Sequence, residues 1–186
     1  IYGEVFMIKL FIVRHGKTDW NLLGIVQGST DISLNEEGII EARDLSEKID
    51  ISKIDLCISS SLKRAMEISK IITKNKIEII YDDLIKERYF GDYEGCSINF
   101  DVISRLWDYK LNDSSNNIES IKECLNRASS FINKIKEDYK DKTILIVSHG
   151  GFIKCMNYVL KGYNESTDFL SFNPKNTTLY EYDINE

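Results

Sequence analysis

The hydrophobic residues of this chain recur with two periods that alternate along the sequence. Short apolar runs rich in β-branched residues predict strands, and apolar residues at helical spacing predict helices. The predicted strands are MIKLFIV (7–13), IDLCIS (54–59), IEIIY (77–81), TILIVS (143–148) and TTLYEYD (177–183). The predicted helices are NEEGIIEARDLSEKI (35–49), SLKRAMEISKIIT (61–73), IESIKECLNRASSFINKIKEDY (118–139) and GFIKCMNYVL (151–160).

This alternation of strands and helices is typical of one fold class. We expect an α/β protein, three-layer α/β/α, with a mostly parallel sheet and an edge strand at the C-terminus. A capping box of Ser33 and Glu36 is expected to begin the first predicted helix. Between residues 82 and 118 the pattern weakens, and the polar run NDSSNN (112–117) predicts a loop. We therefore expect one domain over residues 1–186, with a cap or loop segment at about 82–118.

The composition is that of an ordinary globular protein and limits the choice of partners. A chain of 186 residues can form a core without disulfides or metals, and no apolar run approaches the roughly 20 residues that span a bilayer. The net charge of -6 argues against nucleic acid, because such binding uses basic patches that neutralise many phosphates. We expect no nucleic-acid and no membrane partner, and a homo-oligomer is left open.

The N-terminal residues and the cysteines favour a reducing compartment. The first residues show no basic segment before their apolar part and no small-residue cleavage site, so we expect a cytoplasmic location. Residues 1–6 are expected to form a short extension before the first strand. The cysteines are far apart and form no C-x-x-C pair, which disfavours a zinc site and a disulfide framework. They are Cys57, Cys96, Cys124 and Cys155, and we expect them to be reduced and mostly buried.

The two histidines of the chain occupy equivalent places in the predicted fold. His15 and His149 each follow a predicted strand and precede a glycine. In open α/β sheets, ligands bind beyond the carboxyl ends of the strands, and glycine lets backbone amides approach a ligand closely. One such His-Gly pair is more often structural. Two pairs that use every histidine of the chain favour a functional site.

Two arginines accompany the histidines. Arg14 precedes His15, and Arg64 lies in the first turn of the helix that follows the strand 54–59. Arginine keeps its charge and forms paired hydrogen bonds to phosphate oxygens. Arg64 alone would be interpreted as a solvated helix residue. Together with the histidines, the arginines predict a pocket for a phosphoryl group, and a small phosphorylated molecule is the expected substrate.

Five segments, in this order, carry a resemblance to a known family. They are RHGKTDWN (14–21), QGSTDISLNEEG (27–38), SSSLKRA (59–65), ERYFGDYEG (87–95) and VSHGG (147–151). With them the sequence resembles the histidine phosphatase superfamily, the phosphoglycerate-mutase-like proteins, and most of all its short phosphatase members. The resemblance covers nearly the whole chain. Lys154 stands where such proteins commonly carry arginine, a departure that leaves the expected catalytic roles unchanged.

The resemblance implies a role for each matching residue. His15 matches the nucleophile that attacks phosphorus and becomes a phosphohistidine, and Glu87 matches the general acid. No cofactor and no metal ion are implied. His149 also belongs to the catalytic set, and it matches a group that holds phosphoryl oxygens. The other phosphate-binding residues are Arg14, Asn21, Arg64 and Gly150.

Physical chemistry agrees with this division of roles. A neutral imidazole can attack phosphorus near pH 7 because its ordinary pKa is about 6.5. Phosphoryl transfer then needs in-line positioning and cations around the phosphoryl oxygens. The leaving alkoxide must receive a proton from a carboxylic acid. Glu87 is the expected donor, with Asp92 and Glu94 as local competitors.

Other phosphate chemistries fit the sequence less well. A nucleotide-binding P-loop needs G-x4-G-K-[ST], which the chain does not contain. Cysteine phosphatases carry the motif C-x5-R, with five residues between the cysteine and the arginine. Here six residues separate Cys57 from Arg64. Cys57 also falls within a predicted strand. We therefore favour histidine over cysteine as the nucleophile.

Within the family, the short chain favours hydrolysis. Mutases of the family carry an insertion between the acid motif and the second histidine, but here 47 residues separate Gly95 from Thr143. Three alternatives stay open: a phosphoglycerate mutase, an α-ribazole phosphatase of cobalamin biosynthesis, and a catalytically silent module that binds a phosphorylated ligand. The α-ribazole alternative depends on the segment 96–111. Its aromatic residues pack either into the core or against the pocket, and they are Phe100, Trp107 and Tyr109.

Overall fold

A five-stranded sheet forms the centre of the chain over residues 6–185, the part that this computed structural model describes. The strands are β1 (Met7–Arg14), β2 (Leu56–Ser59), β3 (Ile79–Tyr81), β4 (Thr143–Ser148) and β5 (Leu179–Asn185). Their order is β3-β2-β4-β1-β5, with β5 antiparallel to β1 and the other neighbours parallel. The expected mostly parallel sheet with a C-terminal edge strand is confirmed.

Helices cover both faces of the sheet. They are α1 (Asp19–Leu22), α2 (Glu36–Ser46), α3 (Lys63–Thr73), α4 (Phe100–Leu106), α5 (Ile121–Asp138) and α6 (Gly150–Lys161). Buried residues of α2 and α3 form one core with Val13, Leu145 and Val147 of the sheet. Those of α5 and α6 form a second core with residues such as Leu10 and Ile146. Side chains of each strand alternate between the two cores, which confirms the three-layer architecture.

The start of α2 differs from the expectation. Asn35 is the N-cap, and its side chain accepts a hydrogen bond from the Gly38 amide at 2.9 Å. The capping box expected from Ser33 and Glu36 is therefore wrong. The chain stays extended two residues further because the Asn35 amide donates to the carbonyl of Lys17. A complete capping box instead begins α5, between Ser120 and Glu123.

The segment 82–118 contains α4, short 3-10 turns and the expected polar loop. Arg88, which is fully buried, donates to the carbonyls of Leu106 and Glu119, both at 2.8 Å. These bonds tie α4 and the start of α5 to the segment that follows β3. Within residues 6–185, no helix is both long and apolar enough to cross a bilayer.

The sheet register brings the carboxyl ends of the central strands to one level. Arg14 pairs with Ser148 across β1 and β4, and Ser59 pairs with Val147 across β2 and β4. The residues that follow these strands therefore emerge side by side at one edge of the sheet. Of the expected N-terminal extension, Phe6 is buried in the core, and residues 1–5 lie outside the described part.

Candidate active site

His15 and His149 lie side by side beyond the ends of β1 and β4. Their ring centroids are 5.1 Å apart and the rings are tilted by 55°. Both side chains are buried. Since adjacent parallel strands end at the same level, the two histidines meet although 133 residues separate them. Every histidine of the chain thus contributes to one place in the fold.

The hydrogen bonds of His15 define the state of its ring. Nδ1 lies 2.7 Å from the carbonyl of Gly16, which can only accept, so Nδ1 carries the proton. Nε2 lies 3.3 Å from Nε of Arg64, which can only donate, so Nε2 presents a lone pair. Burial lowers the pKa of His15 well below its usual value, and Arg64 and Arg14 lower it further. The ring is therefore neutral, with a nucleophilic Nε2.

Arg64 is fully buried at the start of α3 and is held by backbone carbonyls. Nη1 donates to Thr30 at 2.8 Å, and Nη2 donates to Gly28 at 2.6 Å. Burial lowers the pKa of Arg64 to about 10, so the guanidinium keeps its charge at neutral pH. The interpretation of Arg64 as a solvated helix residue does not apply to this fold.

Arg14, the last residue of β1, lines the same cavity as His15. Its Nη1 donates to the carbonyl of Pro174 at 2.7 Å, and its buried Nε has no partner within residues 6–185. Gly150 makes room for this side chain, because a Cβ at Gly150 would lie 3.1 Å from Cζ of Arg14. The Arg14 guanidinium therefore has donor capacity left for a ligand.

Asn21 lines the same cavity and is oriented by its neighbour. Its Oδ1 accepts hydrogen bonds from the backbone amide and the hydroxyl of Thr18, at 3.1 and 3.2 Å. These two bonds fix the amide plane. The Nδ2 donor of Asn21 is left for a ligand oxygen.

Glu87 lies at the N-terminus of α6. Its carboxylate accepts hydrogen bonds from the amides of Gly151 and Phe152, both at 3.0 Å, and from the amide of Arg88 at 2.7 Å. The first two amides belong to the helix turn whose N–H groups have no partner within the helix. A Cβ at Gly151 would lie 2.6 Å from Oε1 of Glu87. The two glycines after His149 thus make room for the two charged side chains, Arg14 and Glu87.

His149 contacts Ser60 and does not line the cavity itself. Its Nε2 lies 2.7 Å from Oγ of Ser60, and its buried Nδ1 has no partner within residues 6–185. Burial lowers its pKa well below the usual value, and Arg64 and His15 add to this effect. When the Ser60 hydroxyl donates to Nε2, the proton of the neutral ring is on Nδ1.

The two alternative carboxylates, Glu94 and Asp92, and the alternative nucleophile, Cys57, have other structural roles or surroundings. Glu94 accepts hydrogen bonds from Ser29, Thr30 and Phe90, so it anchors the loop that holds Arg64. Asp92 accepts from Asn117 and does not line the cavity. Burial within β2 raises the pKa of the Cys57 thiol to about 12, which removes it as a thiolate nucleophile. Three cysteines are buried and Cys96 is exposed, as the sequence predicted for most of them.

The cavity has a volume of about 440 Å³ and is lined by both polar and apolar residues. Its polar lining includes Arg14, His15, Arg64 and Glu87. Its apolar lining includes Phe100 and Trp107, so two aromatic residues of the segment 96–111 line the cavity. The third, Tyr109, stacks on Phe169, outside the cavity.

Several residues that line the cavity were not predicted as site residues. They include Gln27, Asn173 and Lys154. Nδ2 of Asn176 donates to the carbonyl of His15 at 2.8 Å and so fixes the end of β1. The polar turn directly before the final strand is the one sequence signal for Asn173 and Asn176. Within residues 6–185, no group of three or more His, Cys, Asp or Glu side chains is arranged to hold a metal ion.

Comparison with known proteins assigns this arrangement to a family. The model of the histidine phosphatase superfamily, branch 1, matches residues 10–186. The chain belongs to the histidine phosphatase superfamily. Three members of the superfamily show how similar this chain is to known proteins in sequence and in structure.

Two of them are bacterial proteins compared by sequence, and the third is a protein compared through its crystal structure. The chain is 35% identical to the uncharacterized phosphatase PhoE of Bacillus subtilis over 157 residues, 84% of this chain and 79% of that protein. It is 30% identical to phosphoserine phosphatase 1 of Hydrogenobacter thermophilus over 184 residues, 92% of this chain and 84% of that protein. A phosphoserine phosphatase variant from Entamoeba histolytica, in complex with phosphoserine, superposes with a TM-score of 0.84 at 28% identity, covering 96% and 94% of the two chains. The expected family and fold are confirmed.

Proposed function

We propose that this member of the superfamily is a phosphatase that hydrolyses small phosphomonoesters through a phosphohistidine at His15, without a metal ion. One observation carries the proposal: Nε2 of His15 carries no proton and lies beside the Arg64 guanidinium, in a cavity that Arg14 and Glu87 also line. A nucleophile, cations for the phosphoryl oxygens and a proton donor are the groups that phosphoryl transfer requires.

In the first step, Nε2 of His15 attacks phosphorus and the bond from phosphorus to the leaving oxygen breaks. A protonated Glu87 gives its proton to that oxygen, which leaves as an alcohol. The imidazole then carries phosphorus on Nε2 and the proton on Nδ1, where the Gly16 carbonyl stabilises the positive charge. Arg14, Arg64 and Asn21 donate to the phosphoryl oxygens.

In the second step, water cleaves the phosphohistidine. The Glu87 carboxylate takes a proton from the water, whose oxygen attacks phosphorus while the bond from phosphorus to Nε2 breaks. Phosphate leaves, and His15 returns to its neutral form with the proton on Nδ1. Glu87 is protonated again for the next cycle.

An α-ribazole phosphatase is a second candidate for the specific activity. Phe100 and Trp107 line the cavity, and an aromatic substrate body would pack against them. The names of two relatives make phosphoserine the alternative substrate.

We also propose that residues 1–186 form one domain in which residues 82–118 cover the site, and that the protein acts in the cytoplasm.

Turnover in the presence of EDTA tests the proposed function. The panel contains p-nitrophenyl phosphate, phosphoserine, 3-phosphoglycerate, fructose 2,6-bisphosphate and α-ribazole phosphate, with both phosphate release and isomerisation followed. We expect metal-free phosphate release that His15→Ala abolishes. We expect Glu87→Gln to lower kcat by about 10²- to 10⁴-fold on alkyl phosphates. On p-nitrophenyl phosphate, whose leaving group needs little protonation, the loss is expected to be much smaller.

Each other outcome assigns a different function. Turnover retained by His15→Ala would overturn the phosphohistidine mechanism. Isomerisation of phosphoglycerate without phosphate release would indicate a mutase. Absence of both reactions, with binding of phosphorylated ligands retained, would indicate a silent binding module.

A further inference from the structure

Lys154 lies in the cavity but has no assigned role in the chemistry. It follows Gly150 by one turn of α6, and only 5% of its surface is exposed. Its Nζ lies 4.2 Å from the ring centroid of Trp107. Among residues 6–185, no side chain or backbone group forms a hydrogen bond or an ion pair with it. A lysine this buried is rare unless it is paired.

The surroundings of Lys154 carry positive charge without a paired carboxylate. Arg88 lies against the same indole, with Cζ 4.7 Å from the Trp107 ring, and its hydrogen bonds go to backbone carbonyls. The buried Nη2 of Arg88 has no partner within the described residues. Glu87 and Asp168 favour the charged form of Lys154 from a distance, but neither forms an ion pair with it. Burial of an unpaired cation is costly, so an anion at this place would be bound favourably.

The position of Lys154 along α6 relates it to Arg14 and Glu87, which lie at the start of that helix. Gly150 and Gly151 begin the helix beside Arg14 and Glu87. Lys154 is four residues further than Gly150, or about 6 Å along the helix axis. A phosphomonoester with a body of a few carbon atoms spans such a distance.

We propose that Lys154 binds a carboxylate of the substrate, so that the preferred substrates are small phosphomonoesters that carry a carboxylate. This inference rests on the proposed phosphatase function. A carboxylate suits the place because its oxygens can accept from the Lys154 ammonium, which lies among apolar residues such as Trp107 and Leu170. Burial lowers the pKa of Lys154 to about 8, so most of the protein carries the charged form at pH 7.

Matched substrate pairs test the proposal. Phosphoserine and phosphoethanolamine differ by one carboxylate, and 3-phosphoglycerate and glycerol 3-phosphate differ by a carboxylate in place of a hydroxymethyl group. The variants are Lys154→Met, which keeps an unbranched side chain on Trp107, and Lys154→Arg, which keeps the charge. Lys161→Met, on the last turn of α6 and outside the cavity, is the control.

We expect Lys154→Met to lower kcat/KM for the carboxylate member of each pair by about 10- to 100-fold, the range of a charge-assisted hydrogen bond. The effect is expected mainly in KM, with changes below about threefold for the matched substrates that lack the carboxylate. Lys154→Arg should retain the preference, and Lys161→Met should behave as the wild type. Equal losses on both members of a pair would overturn the proposal, and so would a wild-type enzyme that does not distinguish them. A preference for fructose 2,6-bisphosphate that depends on Lys154 would also overturn the proposal, because Lys154 would then bind a second phosphate rather than a carboxylate.

Binding measurements separate this inference from the proposed function. Titration calorimetry on His15→Ala, with and without Lys154→Met, measures the affinities for phosphoserine and phosphoethanolamine in the absence of turnover. A carboxylate preference that Lys154→Met removes supports the inference even if the wild type hydrolyses nothing. Hydrolysis without such a preference would retain the phosphatase and reject the role of Lys154.

Discussion

Nε of Arg64 lies 3.3 Å from Nε2 of His15 and donates its hydrogen toward the lone pair of that nitrogen. One contact therefore does two things. It favours an unprotonated Nε2, and it places a cation beside that nitrogen. The Gly16 carbonyl holds the proton on the opposite nitrogen of the ring. The site thus holds His15 as a neutral ring with the lone pair on Nε2, which is the state that the proposed attack on phosphorus requires.

The first prediction concerns the protonation state of His15. We expect both histidines to titrate well below pH 6.5, the ordinary value, because burial and the arginines lower their pKa values. For His15 the proton should be on Nδ1. Nitrogen-15 NMR of histidine-labelled protein measures both properties, and since the chain has two histidines, His149→Gln assigns the signals. A His15 ring that titrates near pH 6.5 would contradict the prediction.

The second prediction separates the two glycines that follow His149. Gly151→Ala places a Cβ 2.6 Å from Glu87 Oε1 and must displace the carboxylate. We expect kcat on alkyl phosphates to fall about 10- to 100-fold, part of the usual contribution of a general acid, with little change on p-nitrophenyl phosphate. Gly150→Ala crowds Arg14 at 3.1 Å instead, so its effect should be on KM for every substrate. The same leaving-group dependence in both variants would contradict this division.

The location of the site could be predicted because it depends on local sequence. An apolar β-rich run followed by His-Gly identifies a strand end, and parallel strands that end together bring such residues into contact. His15, His149 and Arg14 were found in this way. Arg64 needed the tertiary structure to show that its helix packs with the guanidinium inside the protein, against the carbonyls of the loop at 28–30.

The remaining contacts depend on residues far apart in the sequence. Glu94 and Asn176 hold backbone groups 64 and 161 residues away, and no periodicity indicates such pairs. Lys154 was noted only as standing where the family commonly carries arginine, and its burial follows from the packing of α6 against Trp107. At the start of α2, the side chains of Ser33 and Asn35 are both of a type that caps helices. The hydrogen bond from the Asn35 amide to the Lys17 carbonyl keeps the chain extended as far as Asn35, so Asn35 is the N-cap.

The third prediction concerns Glu94, which supports the loop that holds Arg64. Glu94→Ala removes the acceptor of the amides of Ser29, Thr30 and Phe90. The Thr30 amide keeps the Gln27 carbonyl as a second acceptor, so the part-buried amides of Ser29 and Phe90 are the two that lose their partner. At about 1–3 kcal/mol for each, we expect the free energy of unfolding to fall by about 2–6 kcal/mol. Urea denaturation measures this change. Glu37→Ala, which removes a surface ion pair with Lys17, is the control and should cost no more than about 1 kcal/mol. Equal losses in both variants would contradict the anchoring role.

The fourth prediction is the pH dependence of substrate selection. The pKa of Lys154 is lowered to about 8, so its charge is present below that pH and is lost above it. We expect the ratio of kcat/KM for phosphoserine over phosphoethanolamine to fall as the pH rises from 7 to 9. In Lys154→Arg the ratio should stay constant, since arginine remains charged. A ratio that falls equally in both proteins would assign the pH dependence to another group.

The last prediction is the pH dependence of stability. In the folded protein the pKa of His149 is well below 6.5, whereas the unfolded chain takes up a proton near that pH. Below pH 6.5 the unfolded state therefore binds more protons, and stability falls as the pH decreases. One such histidine contributes about 1.4 kcal/mol per pH unit until the folded-state pKa is reached. His149→Gln should remove that contribution, so urea denaturation between pH 6.5 and 5 should show a shallower loss of stability than in the wild type. Since the carboxylates titrate alike in both proteins, identical slopes would mean that His149 is protonated in the folded protein.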